Sequence, residues 1–250
     1  MKIPRITLAG ATSGVGKTSI TCAIIHSLQK KGFSVQPFKV GPDYIDPSYL
    51  SSISNHEAFN LDVWLMGKNQ LLESFVSNSK SDISVIEGVM GYYDGFSGNS
   101  NYASTQHVAS IIKSPVILVL DASKTARSIA ATALGFQKFH RNSRISGIIL
   151  NKINSKKHEI LCRQALEKTK LPTIGVIYKN SELNFESRHL GLIPVGEKNL
   201  KSKIEKTSKI ISDSIDIEKI LQIMKNPIPL PQKSKIITQK PKITIAIALD

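Results

Sequence analysis

At 250 residues, 41% hydrophobic and 21% charged, the chain can bury a sizeable core without disulfide staples. No apolar run reaches the roughly 18 residues a membrane-spanning helix needs, and Met1-Lys2-Ile3-Pro4-Arg5 leads into a strand-like run, not a leader peptide. The net charge of +14 comes from scattered lysines with no basic stripe interleaved with aromatics, which argues against a nucleic-acid partner and for a solvated, anion-attracting surface.

The only cysteines, Cys22 and Cys162, lack metal-ligand spacing. A reduced, cytoplasmic setting with no membrane partner is therefore expected.

In chain order, strands are predicted at Ile6–Ala9, Ser34–Val40, Ile83–Glu87, Val116–Asp121, Ile145–Leu150 and Thr173–Ile177. Helices are predicted between them, at Thr18–Lys31, Gln70–Ser77, Ser104–Ile112, Lys124–Phe139 and Lys156–Lys170. Runs such as Val116-Ile117-Leu118-Val119-Leu120 are apolar on both faces, as buried parallel strands are. Strand and helix in alternation predict an α/β fold, a doubly wound and mostly parallel sheet with ligands beyond the C-terminal strand ends.

After the first strand comes Gly10-Ala11-Thr12-Ser13-Gly14-Val15-Gly16-Lys17-Thr18. Amides of such a loop wrap a β-phosphate, the lysine reaches the β- and γ-phosphates, and the threonine hydroxyl ligates Mg²⁺. The loop is a variant, with Ala11 where the strict pattern has glycine and Gly10 one residue earlier. Nucleotide contacts are expected at Thr12, Ser13, Gly14, Val15, Gly16, Lys17, Thr18 and Ser19, with Lys17 exposed to meet phosphate.

The second strand ends in Lys39-Val40-Gly41-Pro42-Asp43-Tyr44-Ile45-Asp46-Pro47, whose two carboxylates could bind metal and orient a substrate, or simply form turns. Glu87 closes the next strand in Ile86-Glu87-Gly88, where a carboxylate beside such a loop holds Mg²⁺ or its water. Asp94, in Tyr92-Tyr93-Asp94-Gly95, is a further acid in a turn. Trp64 is expected in the core or at an interface. Beyond Glu197 a Lys/Ile/Ser-rich helical stretch and Pro227, Pro229 and Pro231 read as a linker over 198–241. A new strand follows at 242–250, which points to a truncated second domain.

These stretches, with Asn60-Leu61-Asp62, Ala126-Arg127-Ser128, Gly147-Ile148-Ile149-Leu150-Asn151 and Glu186-Ser187-Arg188-His189-Leu190-Gly191-Leu192, resemble the cobyrinate a,c-diamide synthase family over about residues 5–197. The resemblance implies a dethiobiotin-synthetase-like P-loop synthetase domain over 1–197, with 242–250 opening a class I glutamine amidotransferase domain. It implies an ATP- and Mg²⁺-dependent ligase that phosphorylates the a and c acetate carboxylates of cobyrinate. Ammonia, normally from glutamine, then displaces each phosphate to give the amides of cobalamin biosynthesis. Catalytic roles fall on Lys17, Asp43, Asp46, Glu87 and Asp94, and metal binding on Thr18, Asp43 and Glu87. Substrate contacts fall on Lys39, Tyr44 and Ile45, adenine recognition on Asn151, and a homodimer is left open. Neither cysteine sits where a glutaminase nucleophile would.

The sister activity on nickel sirohydrochlorin shares almost every motif. A regulatory P-loop ATPase of the partition type is disfavoured by Thr12-Ser13-Gly14, where that type carries a lysine, and by the Gly41–Pro47 segment.

Overall fold

The structure, a computed structural model, describes residues 1–180 and 198–231. The expected 242–250 strand and the Glu186–Leu192 motif lie outside the described residues. Seven parallel strands form one sheet: β1 (Arg5–Gly10), β2 (Val35–Val40), β3 (Phe59–Leu61), β4 (Ile83–Glu87), β5 (Val116–Asp121), β6 (Ile145–Ile153) and β7 (Thr173–Tyr178). Their order is β3-β2-β4-β1-β5-β6-β7, so the chain passes from β4 to β5 across β1. The strand direction of travel reverses there, and the loop after β1 opens into the resulting crevice.

Alternate residues of the central strands feed opposite cores. Ile6, Leu8, Val85, Ile117 and Val119 pack with α1 (Lys17–Lys30) and α2 (Asp46–Ser54). Val116, Leu118 and Leu120 pack with α5 (Ser128–Phe139) and α6 (Lys156–Leu166). Phe38, Val40 and Ile86 meet α3 (Val63–Asn78) and α4 (Thr105–Ile111). This period-2 division is what a two-faced buried sheet demands.

Several elements differ from expectation, the first three for a local reason. Asp46-Pro47, read as a turn, starts α2, because proline tolerates the first helical turn, where its missing N–H costs nothing. β3 is three residues long, too short for a periodicity signal. α3 begins well before Gln70, capped by the Asp62 carboxylate accepting from the amides of Trp64 (2.7 Å) and Leu65 (3.0 Å), and kinks at Gly67. α5 starts at Ser128, and α6 ends at Leu166 in a short 3-10 turn, Glu167–Thr169.

The segment expected as a linker is built into the body as far as Leu230. α7 (Lys198–Ser212) and α8 (Ile217–Met224) lie on the α1 face, and Ile204, Ile211, Ile217, Ile220 and Met224 join that core. Ile215, between the helices, forms an isolated antiparallel bridge with Gly175 of β7. The proline stretch is fastened under the sheet. The fully buried Arg5 donates to Ile228 O (2.7 Å) and Ile112 O (2.6 Å), and Leu230 N donates to Met1 O (2.9 Å). No helix among the described residues is long and apolar enough to cross a membrane.

Candidate functional site

The β1–α1 loop takes the shape that its glycines allow. Gly14 (φ 73°) and Gly16 (φ 91°) adopt left-handed backbone, and a Cβ on Gly16 would stand 2.6 Å from Asn151 Nδ2. Asn151, near the end of β6, braces the loop by donating to Val15 O (2.8 Å), while its Oδ1 accepts from Lys152 N (2.8 Å). An adenine contact would have to share this amide with the loop.

Lys17 is buried rather than exposed, because the loop folds over its stem. Its ammonium donates to Met90 O (2.6 Å) and Thr12 O (3.4 Å). Burial pushes its pKa down to about 8; the Glu87 and Asp46 charges only partly oppose this, and nearby Lys39 adds to it.

Register brings the acids to the lysines. Lys39 and Glu87 are Cα partners on β2 and β4, and Leu8 of β1 pairs with Glu87 on its other side. Lys39 Nζ lies 2.8 Å from Glu87 Oε1, 2.6 Å from Asp46 Oδ2 and 3.7 Å from Asp43 Oδ2. Thr18 Oγ1 donates to the same Glu87 Oε1 at 2.8 Å. Burial acts to lower the Lys39 pKa, but the Glu87 and Asp46 carboxylates outweigh it and raise it, so the ammonium stays charged. Glu87 is wholly buried, which raises its carboxyl against the pull of Lys39.

Glu87 Oε2 is buried without a hydrogen-bond partner. An orphaned carboxylate oxygen beside a threonine hydroxyl fits a hard cation. Among the described residues, no three His, Cys, Asp or Glu side chains form a metal cluster, so a cation here would take most of its oxygens from phosphate and water.

Of the other expected residues, Asp43 Oδ1 accepts from the amides of Ile45 (2.9 Å) and Asp46 (3.0 Å), and Asn60 Nδ2 clamps Asp43 O (2.8 Å). Asp94 Oδ2 accepts from Gly91 N (2.9 Å), holding the loop that carries Met90. Tyr44 and Trp64 stand in solvent, so Trp64 is not a core residue. Both cysteines are buried with their thiols raised by that burial.

One cavity of about 930 Å³ joins Ser13, Gly14, Gly16, Lys17, Thr18, Ser19 and Asn151 to Lys39, Asp43, Asp46 and Glu87. Thr12, Val15, Tyr44, Ile45 and Asp94 are not in its lining. Sequence reasoning missed Ser123, Lys152, Tyr178 and Ile211 in this wall. Lys152 Nζ bonds Asp121 Oδ2 (2.7 Å) and reaches Gly14 O (3.4 Å), tying the ends of β5 and β6 to the loop. The available signal was Asp121 closing a buried strand, as Glu87 does.

The chain is 42% identical to a cobyrinate a,c-diamide synthase of Dehalococcoides mccartyi, across 93% of this chain and 51% of that one. It is 41% identical to one of Picrophilus torridus (100% and 58%), and 38% identical to a hydrogenobyrinate a,c-diamide synthase of Streptomyces coelicolor (90% and 47%). The chain thus spans about half the length of the curated relatives it matches. Among solved structures, chloroplast FtsY from Physcomitrella patens superposes with a TM-score of 0.53 at 15% identity, over 90% of this chain and 66% of that one, a likeness of fold alone. The family model for the CobQ/CobB/MinD/ParA nucleotide binding domain matches residues 6–193, a span that holds the phosphate loop, the Lys39 cluster and Asn151, and the chain belongs to that family.

Proposed function

We propose that this chain is the ATP-dependent amidating part of a cobyrinate a,c-diamide synthase. The observation that carries the reading is the single cavity, in which a phosphate loop opens directly onto a lysine-centred carboxylate cluster. A nucleotide and a carboxylic acid placed there share one space, and the names of the relatives supply the acid.

An amine does not displace the oxygen of a free carboxylate, so an acetate oxygen of cobyrinate first attacks the γ-phosphorus of ATP and ADP leaves. Ammonia, normally supplied from glutamine, then attacks the acyl carbon. Phosphate leaves, the nitrogen loses its proton, and an amide remains. In this reading Lys17 exchanges the Met90 carbonyl for phosphate oxygens, and the loop amides hold the β-phosphate. Thr18 and Glu87, with Asp43 nearby, would hold Mg²⁺, which would supply positive charge against the phosphates. Lys39, kept charged by Asp46 and Glu87, offsets the meeting of two anions, and Asp94 fixes the adjoining loop.

Phosphate release from MgATP with ammonium tests this, screened against cobyrinate, hydrogenobyrinate and nickel sirohydrochlorin. Stimulation by cobyrinate above the other two is expected. Stimulation by nickel sirohydrochlorin alone would transfer the assignment to the sister reaction. Turnover indifferent to all three would leave a plain ATPase.

A further inference from the structure

Half of the rim carries large apolar side chains standing in water. Tyr44 (87% exposed) follows β2, and Trp64 (59%) and Leu65 (63%) open α3 directly after β3. Met90 (44%), Phe96 (69%) and Tyr102 (40%) lie on the loop after β4. β3, β2 and β4 are consecutive in the sheet, so these C-terminal loops are neighbours. Exposing such side chains forgoes the stabilisation of burying them, and their clustering marks a binding surface.

The surface is braced. Phe96 N donates to Tyr102 O (2.9 Å), and the two rings meet edge-on with centroids 6.4 Å apart. The Tyr102 ring lies 5.4 Å from that of His107, whose Nδ1 accepts from Ala103 N (3.3 Å). A Cβ on Gly95 would meet Tyr102 O at 2.3 Å, so the backbone closes tightly beneath the ring pair. Met66 of α3 packs against the same core cluster as Val89 and Ala103 of the loop after β4. That shared packing places the start of α3, with the exposed Lys68, beside the aromatic loop. The same loop carries Met90, whose carbonyl holds Lys17, and Val89, which packs over Gly41 in the β2 loop. The apolar patch therefore adjoins the carboxylate end of the cavity, while Asn151, Lys152 and Tyr178 wall the other end.

We propose that this rim seats the macrocycle: a flat apolar tetrapyrrole face rests on Trp64, Phe96 and Tyr102, its acidic fringe meets Lys68, and the reacting acetate reaches toward Lys39 and Glu87. The inference rests on the amidation reading for the identity of the ring. A flat apolar face with anionic edges matches both aromatic side chains and a lysine, and the seat opens onto the reacting groups.

Trp64 is the only tryptophan, so its emission reports ring docking without turnover. Cobyrinate is titrated into the full chain and followed by Trp64 emission. Trp64 variants are followed by corrinoid absorbance. The Phe96→Ala/Tyr102→Ala double variant and Trp64→Ala are expected to raise Kd and KM for cobyrinate at least about tenfold, the scale of losing aromatic anchors. Trp64→Phe keeps near-normal affinity, kcat at saturation holds, and MgADP affinity is unchanged, which also certifies folding. Leu65→Ser, a smaller change, weakens Kd in the same direction. An unaltered cobyrinate Kd in these variants overturns the inference, as does wild-type protein that binds no cobyrinate. Loss of a dimer in light scattering with Kd unchanged overturns it in favour of an interface between copies. Rim-sensitive binding without amide formation keeps the ring seat and removes the reaction assigned to it.

Discussion

Lys39 shows how two distant sequence signals become one site. Its partners Asp46 and Glu87 lie 7 and 48 residues away, and all three side chains are nearly or fully buried. Lys39→Met leaves both carboxylates without their cation and is expected to cost about 3–5 kcal/mol. Glu87 then titrates with a raised folded pKa, so the penalty is largest near neutral pH and shrinks as pH falls toward the unfolded carboxylate value. Lys39→Met/Glu87→Gln should recover part of the loss while abolishing turnover. Urea melts at two pH values measure both effects, and a single variant as stable as wild type would show that the pair is not coupled.

Lys17 gives a second test at the same scale. Its folded pKa of about 8 lies below the ordinary 10.5, so the unfolded chain holds more protons in that window and ligand-free stability rises with pH across it. Phosphate at the loop restores the charge, so MgADP binding near pH 9 should take up about one proton. Calorimetry in two buffers of different ionisation heat reads this directly, and equal heats would contradict it. The loop glycines and Lys17 were legible because residue types at fixed spacing carry the chemistry. The burial of Lys17 was not, since it depends on the Met90 carbonyl, 73 residues away.

Among elements, the alternation of strands and helices was legible as far as Thr173, where apolar runs are long. β3 and α2 were not, because a three-residue strand has no period and Asp-Pro serves turns and helix starts alike. The helical spacing of 198–225 was legible, but its docking onto the sheet was not, because lysines and flanking prolines masked a narrow apolar stripe. That stripe, Ile217, Ile220 and Met224 in α8, fills the core beside α1. Ile220→Ala should therefore cost about 2–5 kcal/mol. Glu218→Ala, which removes an exposed pair with Lys31, should cost under about 1 kcal/mol. Thermal melts separate the two, and an Ile220 variant melting with wild type would mean that α8 is dispensable.

For the whole molecule, the sheet order is the feature least visible in sequence and most consequential for function. Placing β1 between β4 and β5 puts the phosphate loop at the reversal, with Asn151 and Lys152 on one flank and the β2 and β4 carboxylates on the other. A formal charge of +14 would give the two anionic reactants of the proposed reaction a favourable approach. The proposed reaction needs that shared cavity to join nucleotide to carboxylic acid. Its most direct test is mass spectrometry of cobyrinate incubated with this chain, ATP, Mg²⁺ and ammonium. Stepwise conversion of two carboxyls to amides is expected, with one ADP and one phosphate released at each step and no conversion by Lys17→Ala. Recovery of unmodified cobyrinate from chain that binds MgATP and hydrolyses it would contradict it.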